Sequence, residues 1–104
     1  MTVVDHRLRL MRDRRAETAD RLRNIELRIA GVAEAGTRSN DNLPPTFGRH
    51  ASDWTSRHEA DYQRRLSELR SETRNEIGAI KGKLARQTEA ISAHHLKQAG
   101  KGRG

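Results

Sequence analysis

The apolar residues of this chain recur at alternating intervals of three and four positions, the spacing of a helix that buries one narrow stripe. Charged residues fill most positions between them, so the pattern indicates an amphipathic helix and not a strand. With Gly36 as its expected C-cap, the first helix is predicted over about residues 3–35. Its stripe comprises Val4, Leu8, Met11, Arg15, Thr18, Leu22, Ile25, Ile29 and Val32.

A second stripe of the same kind runs through the C-terminal half. The helix predicted around it extends from about residue 53, with Ser52 as N-cap, to about residue 99, where Gly100 ends it. Gly78 and Gly82 lie just beside the stripe, either to admit another backbone or as a local weak point. One extra residue before Ile77 should locally straighten a supercoil. The stripe comprises Tyr62, Leu66, Leu69, Thr73, Ile77, Ile80, Leu84, Gln87, Ile91 and His94.

Residues 36–52 break this periodicity with a proline pair, two glycines and several turn-forming residues. The sequence therefore predicts an all-α fold in which two long helices form an antiparallel hairpin or coiled coil over residues 1–99. Residues 36–52 would form its tip, and residues 100–104 a flexible basic tail.

The two predicted helices differ in length. At 1.5 Å per residue, roughly 20 Å of the second helix would project beyond the first. This overhang would expose Ile91 and Leu96 in a monomer, so we predict that a second copy or another protein covers these residues as an oligomer or partner seam.

The composition excludes several classes of protein. The chain contains no cysteine, hence no disulfide framework and no thiolate zinc site. No apolar run approaches the roughly 20 residues of a membrane span, and the N-terminal residues lack the apolar core of a secretion signal. We therefore expect a cytoplasmic protein with no membrane association.

The histidines do not form a metal-binding pattern. His94 and His95 are adjacent in sequence, and neither has a histidine or carboxylate three or four positions away. Two packed helices form a contact line along their length and no enclosed pocket. A catalytic group usually needs such a pocket to acquire a shifted pKa. The sequence thus predicts a protein that is not an enzyme, with no cofactor, metal or small-molecule substrate.

Positive charge is the main sequence feature that suggests nucleic acid. The formal net charge is +7 and the isoelectric point is near 11.0. Both predicted helices carry mixed charges, and only the tail, with Lys101 and Arg103, is purely basic. Non-specific attraction to phosphate backbones is therefore possible, with these two residues as a weak contact site.

The tip is the main candidate for recognition of a partner. Phe47 and Trp54 are large apolar groups that neither stripe accounts for, and they either close the hairpin on each other or anchor a partner. We expect Trp54 to close the hairpin and Phe47 to anchor. The predicted partner-binding residues are Leu43, Phe47, Arg49, His50 and Trp54.

The tip and two later segments also resemble a known family. Leu43–Ala51 (LPPTFGRHA), together with Glu76–Ile80 and Leu84–Arg86, is similar to the coiled-coil half of bacterial DksA/TraR-type regulators, without their zinc-finger cysteines. Those proteins insert a helical hairpin into the secondary channel of RNA polymerase. The resemblance implies a transcriptional role, with the 43–51 tip near the polymerase active site.

These observations favour a non-catalytic coiled-coil interaction protein that assembles with itself or docks on a larger bacterial or phage complex. The alternative is a basic nucleic-acid-associated protein or an RNA-polymerase-binding transcription regulator.

Overall fold

The structure, a computed structural model, describes the backbone of residues 3–101 and the side chains of residues 6–98. Within this range the regular elements are helices: α1 (Val3–Asn40), α2 (Ser56–Glu72) and α3 (Arg74–Lys101). The prediction of an all-α chain is confirmed, although the described residues form three helices and not two. No helix in this part of the chain is both long and apolar enough to cross a membrane.

Helix α1 ends five residues later than predicted, because Gly36 does not cap it. The chain instead reverses at Asn42, which takes the left-handed conformation with φ 54°. The N–H of Leu43 donates to the carbonyl oxygen of Arg38 (2.9 Å), and the N–H of Asn42 donates to that of Ser39 (3.3 Å). This is a Schellman motif in which asparagine takes the place of glycine. The segment between helices is therefore 41–55 and not 36–52.

The predicted second helix starts later than expected and is divided in two. Its N-cap is Thr55 and not Ser52, so α2 begins at Ser56. The division lies at Thr73, inside the interval where the stripe has its extra residue. The Thr73 hydroxyl donates to the carbonyl oxygen of Leu69 (2.8 Å), a back-bond that commonly bends helices. Helix α3 then continues past Gly100 to Lys101.

The chain packs as two compact units, which we call unit 1 (residues 1–23 and 76–104) and unit 2 (residues 24–75). In unit 1, the first part of α1 runs antiparallel to α3. Arg12 contacts His95 (3.3 Å), and Arg15 donates to the Thr88 hydroxyl (2.8 Å). The last turns of α3 thus lie beside the first turns of α1, and the predicted overhang is wrong.

The buried residues of unit 1 follow the predicted stripes. Thr18 on α1 and Ile80 on α3 are buried. The side chains that flank them are half-buried: Leu8, Met11, Arg15, Leu22, Ile77, Leu84, Gln87, Ile91 and His94. Polar side chains occupy several of these positions, so unit 1 has a thin core.

Unit 2 contains most of the fully buried apolar side chains. Its part of α1 contributes Ile25, Ile29 and Ala33, and α2 contributes Tyr62 and Leu66. The stripe on α1 departs here from the prediction: Val32 is 53% exposed, whereas Ala33 and Thr37 are buried. Three successive four-residue steps, from residue 25 to residue 37, replace the predicted alternation of three- and four-residue steps.

Gly78 lies inside α3, and the structure gives it no role in close packing. A Cβ atom added at this position meets no atom within 4 Å, and the glycine does not have a positive φ. Gly78→Ala should therefore stabilise the protein by about 0.5–1 kcal/mol, because alanine loses less backbone entropy in a helix. Urea unfolding followed by circular dichroism would measure the gain, and a loss of stability would show that another backbone approaches here.

Candidate binding surfaces

The segment 41–55 is built from consecutive tight turns. The N–H groups of Phe47, Ala51 and Trp54 each donate to the carbonyl oxygen three residues earlier, at 2.9, 2.8 and 3.1 Å. Thr55 then caps α2, because its hydroxyl accepts the N–H of His58 (3.2 Å). The turns bring the two aromatic residues of this segment together above the first turn of α2.

Phe47, Trp54, His58 and Tyr62 form a group that we call the tip cluster. The Phe47 and Trp54 rings stack with centroids 5.9 Å apart, and the His58 ring lies 5.4 Å from Phe47 and 5.3 Å from Trp54. Tyr62, one turn further along α2, meets the edge of Trp54 at 6.3 Å. Tyr62 is buried, whereas Phe47, Trp54 and His58 are half-buried. The cluster thus has a buried base and an accessible outer side.

His58 holds the cluster to both ends of the segment. Its Nδ1 accepts the backbone N–H of Thr55 (3.0 Å), which completes a capping box with histidine in the place of the usual glutamate. Its Nε2 lies 3.0 Å from the Asp41 carboxylate, just past the end of α1. A neutral ring with its proton on Nε2 satisfies both contacts, since Nδ1 must accept and Nε2 must donate.

Arg49 packs beside the cluster instead of projecting from it. Its guanidinium donates to both carboxylate oxygens of Glu59, with a shortest distance of 2.6 Å, and lies over the Tyr62 ring at 4.2 Å. These hydrogen bonds lower the pKa of Glu59 and raise the pKa of Arg49. The Trp54 indole N–H is buried and has no hydrogen-bond partner among the described residues.

Two side chains of α1 attach the segment to the helix. Glu34 accepts the backbone N–H of Arg49 (3.1 Å), and Arg38 donates to the carbonyl oxygen of Phe47 (3.3 Å). The Glu34 carboxylate also approaches Gly48 so closely that a Cβ atom there would clash with it. The residue at position 48 must therefore be small for Glu34 to reach this part of the segment.

Below the tip cluster, Asp61 joins α2 to α1. It accepts hydrogen bonds from the Thr37 hydroxyl (2.7 Å), the Arg65 Nε (2.7 Å) and the Arg64 guanidinium (2.8 Å). These donors hold the pKa of Asp61 well below its usual range, with Arg65 the largest cause. Gly36 makes room for the Arg65 side chain, which a Cβ atom would meet at 2.8 Å.

Unit 1 contains an open cleft of about 680 Å³ between its two helices. Gln87 is one of its lining residues. Its amide nitrogen donates to the carbonyl oxygen of Arg14 (3.4 Å), while its buried amide oxygen has no partner among the described residues. The lining is mixed, with an excess of cations: Met11, Arg14, Glu17, Thr18, Arg21, Ile80, Lys83, Gln87 and Ala90.

Charge is distributed very unevenly between the units. Unit 1 contains 13 basic and 6 acidic residues, whereas unit 2 contains 8 of each. The whole net charge of +7 therefore belongs to unit 1. In unit 2 the described side chains form several internal ion pairs, among them Arg49–Glu59, Arg65–Asp61 and Arg64–Glu68.

The predicted site residues divide between these surfaces. In the tip, Leu43, Phe47 and Trp54 are half-buried, and Arg49 and His50 are exposed. In unit 1, Ile91 is half-buried in a groove against α1, whereas Leu96 is 75% exposed. Arg103 and the side chain of Lys101 lie outside the described residues.

His58 and Glu59 complete the tip, although they are not among the predicted partner-binding residues. The spacing of Ser56 and Glu59 in the sequence matches a capping box, but the observed pair lies one position earlier, at Thr55 and His58. The three-residue spacing was visible in the sequence, but histidine is not among the residues expected at its second position.

Among the described residues, no group of three or more histidine, cysteine or carboxylate side chains is placed to hold a metal ion. No protein-family model, no curated protein and no solved structure matches the chain.

Proposed function

We propose that this chain is a non-catalytic helical hairpin that acts in the cytoplasm as an interaction protein and docks on a larger bacterial or phage protein complex through the tip cluster. The observation that carries this proposal is the packing of the Phe47, Trp54 and His58 rings into one half-buried group at the start of α2. All three aromatic residues of the chain belong to this cluster.

The composition of the tip supports a protein partner. Residues that dominate the binding energy of protein interfaces are most often tryptophan, tyrosine and arginine, and they cluster in a small central area. Here the half-buried Trp54 and the exposed Arg49 both pack against the buried Tyr62, and Phe47 adds apolar surface. Unit 2 has no net charge, so long-range attraction to a polyanion does not compete with such contacts.

The tip is also held in one conformation before binding. Glu34, Arg38 and the capping box fix the backbone of residues 47–58 to both helices. Side chains that are already ordered lose little entropy on association, which favours affinity.

Self-assembly is the second part of the proposal and concerns another surface. Leu96 on α3 is 75% exposed and Leu10 on α1 is 42% exposed, both in unit 1. Burial of large apolar side chains of this kind in a second copy is favourable by about 25 cal/mol per Å². Analytical ultracentrifugation of the purified chain and of Leu96→Ala should show weaker self-association for the variant.

Docking through the tip predicts different results for two neighbouring substitutions. Phe47→Ala should weaken partner binding by about 30-fold, or 2 kcal/mol, and lower stability by less than about 1 kcal/mol. Trp54→Ala should lower stability by about 2–3 kcal/mol, because Trp54 contacts all three other rings of the cluster.

The test is affinity capture from a nuclease-treated lysate of the source organism, followed by titration with the purified captured protein and thermal melting of each variant. Leu27→Ala is the control, because it removes an exposed apolar side chain that lies outside the tip and outside the proposed self-assembly surface. Retained binding by Phe47→Ala, or equal losses for Phe47→Ala and Leu27→Ala, would exclude the tip as the docking surface.

A further inference from the structure

We propose that unit 1 binds the phosphate backbone of double-stranded nucleic acid without reading its sequence. This inference does not depend on docking through the tip. It rests on the net charge of +7, all of which belongs to unit 1. This concentration is not evident along the sequence, because unit 1 combines residues from both ends of the chain.

The cations of unit 1 lie on both of its helices. Arg14 and Arg21 on α1 are exposed on one side of the cleft, and Lys83 on α3 is exposed on the other. Glu17 is the only carboxylate among the residues that line this cleft. Three cations around one opening concentrate positive potential where a phosphate group would approach.

These cations also remain available for an external anion. Arg14, Arg21 and Lys83 take part in none of the ion pairs found among the described residues, whereas Arg23 of unit 1 pairs with Asp20 on the surface. Unit 2 instead directs its arginines toward its own carboxylates. A ligand that supplies several negative charges can therefore replace hydration and bulk counterions around unit 1 without breaking internal pairs.

A double helix fits this surface better than a single strand does. Proteins that hold single strands stack the bases on aromatic side chains, and all three aromatic residues of this chain belong to unit 2. Backbone contacts from arginine and lysine serve duplexes of any sequence, because phosphates carry no direct sequence information.

Binding through phosphate contacts predicts how strongly the affinity for DNA depends on salt concentration. Each neutralised phosphate contributes about −0.9 to the slope of log K against log salt concentration. With about four to five phosphate contacts, affinity should fall roughly 150- to 500-fold between 50 and 200 mM salt. A change of base sequence should alter affinity by less than about threefold.

The test is fluorescence anisotropy of the full-length protein with a labelled 24-base-pair DNA duplex of arbitrary sequence. The triple variant Arg14→Gln, Arg21→Gln and Lys83→Gln removes three cations from the cleft. The control variant Arg28→Gln, Arg57→Gln and Arg70→Gln removes three exposed cations from unit 2, so both proteins have the same net charge. Circular dichroism melting verifies that both are folded.

We expect the cleft variant to lose at least 30-fold in affinity at 50 mM salt and to show a salt slope reduced by about two to three, whereas the control variant loses less than threefold. Phe47→Ala should bind DNA as the wild type does, which separates this inference from the proposed function. Equal losses in the two triple variants would overturn the proposal. Tenfold preference for the single strand, or equal competition by polyglutamate or anionic lipid vesicles, would also overturn it.

Discussion

Ile29→Ala should destabilise unit 2 by about 3–4 kcal/mol, the largest effect expected of any single substitution considered for this chain. Ile29 is 3% exposed and lies in the core with Ile25, Ala33, Tyr62 and Leu66. The substitution removes buried side-chain carbon atoms, so their hydrophobic stabilisation is lost. It also leaves a cavity that the two helices can close only in part. A small domain has little stability in reserve, so much of unit 2 should be unfolded at 37 °C.

The control for this change is two residues away on the same helix. Leu27 is 63% exposed, and Leu27→Ala removes the same number of carbon atoms, so its effect should stay within about 0.5 kcal/mol. Urea unfolding followed by tryptophan fluorescence is suitable, because Trp54 is the only tryptophan and lies in unit 2. Similar costs for the two variants would mean that the buried face of α1 is wrongly assigned.

Asp61→Asn should cost about 2–3 kcal/mol at pH 7. Thr37, whose side chain is almost fully buried, and Arg65 both donate to the carboxylate at 2.7 Å. Both bonds end on the same oxygen, Oδ2, and an amide oxygen in that place could still accept both. It carries no negative charge, however, so the bond from Arg65 weakens and the half-buried guanidinium loses its counter-charge. The third donor, Arg64, is 55% exposed and should contribute little.

The same carboxylate predicts how stability depends on pH. The pKa of Asp61 is lowered in the folded state, so its stabilisation is present above its ordinary pKa, near 4, and is lost as the pH falls further. Wild type and Asp61→Asn should therefore differ fully at pH 7 and much less at pH 2.5. Urea unfolding at both values measures the difference, and a gap that does not narrow in acid would contradict this account.

Glu68→Gln is the matched control, because Glu68 pairs with the same arginine, Arg64, at 3.1 Å but its side chain is 60% exposed. Solvent screens such a pair and side-chain entropy opposes it, so the change in stability should remain below about 0.5 kcal/mol. Comparable costs for Asp61→Asn and Glu68→Gln would show that Arg64 is the main partner and that the contact with Thr37 contributes little.

The helical elements were largely predictable because they depend on local periodicity. Every residue of the second predicted stripe, from Tyr62 to His94, is buried or half-buried. The extra residue before Ile77 anticipated an irregularity, and α2 and α3 separate at Thr73. The apolar spacing of a helix survives whatever the helix packs against, so this information is present in the sequence alone.

Helix ends and the tip were less predictable, because several residues can terminate a helix and tertiary contacts choose among them. Gly36 had the residue type of a C-cap, but it lies within α1 and admits Arg65, while Asn42 reverses the chain. Arg49 is a predicted partner-binding residue and is exposed, but its pairing with Glu59 and its position over Tyr62 arise only when the segment folds onto α2.

The sequence by itself determined the helical class, the two apolar stripes and the aromatic residues of the tip, since each depends on residue type and spacing over a few turns. The sequence predicted an antiparallel pairing of the helices, but only the tertiary structure decided its register, because a contact such as Arg12 with His95 joins residues 83 positions apart. That pairing brings 13 of the 21 basic residues into unit 1 and leaves unit 2 neutral. Positive charge appears evenly spread when it is counted along the sequence. A ligand, however, interacts with the charge distribution of the folded protein.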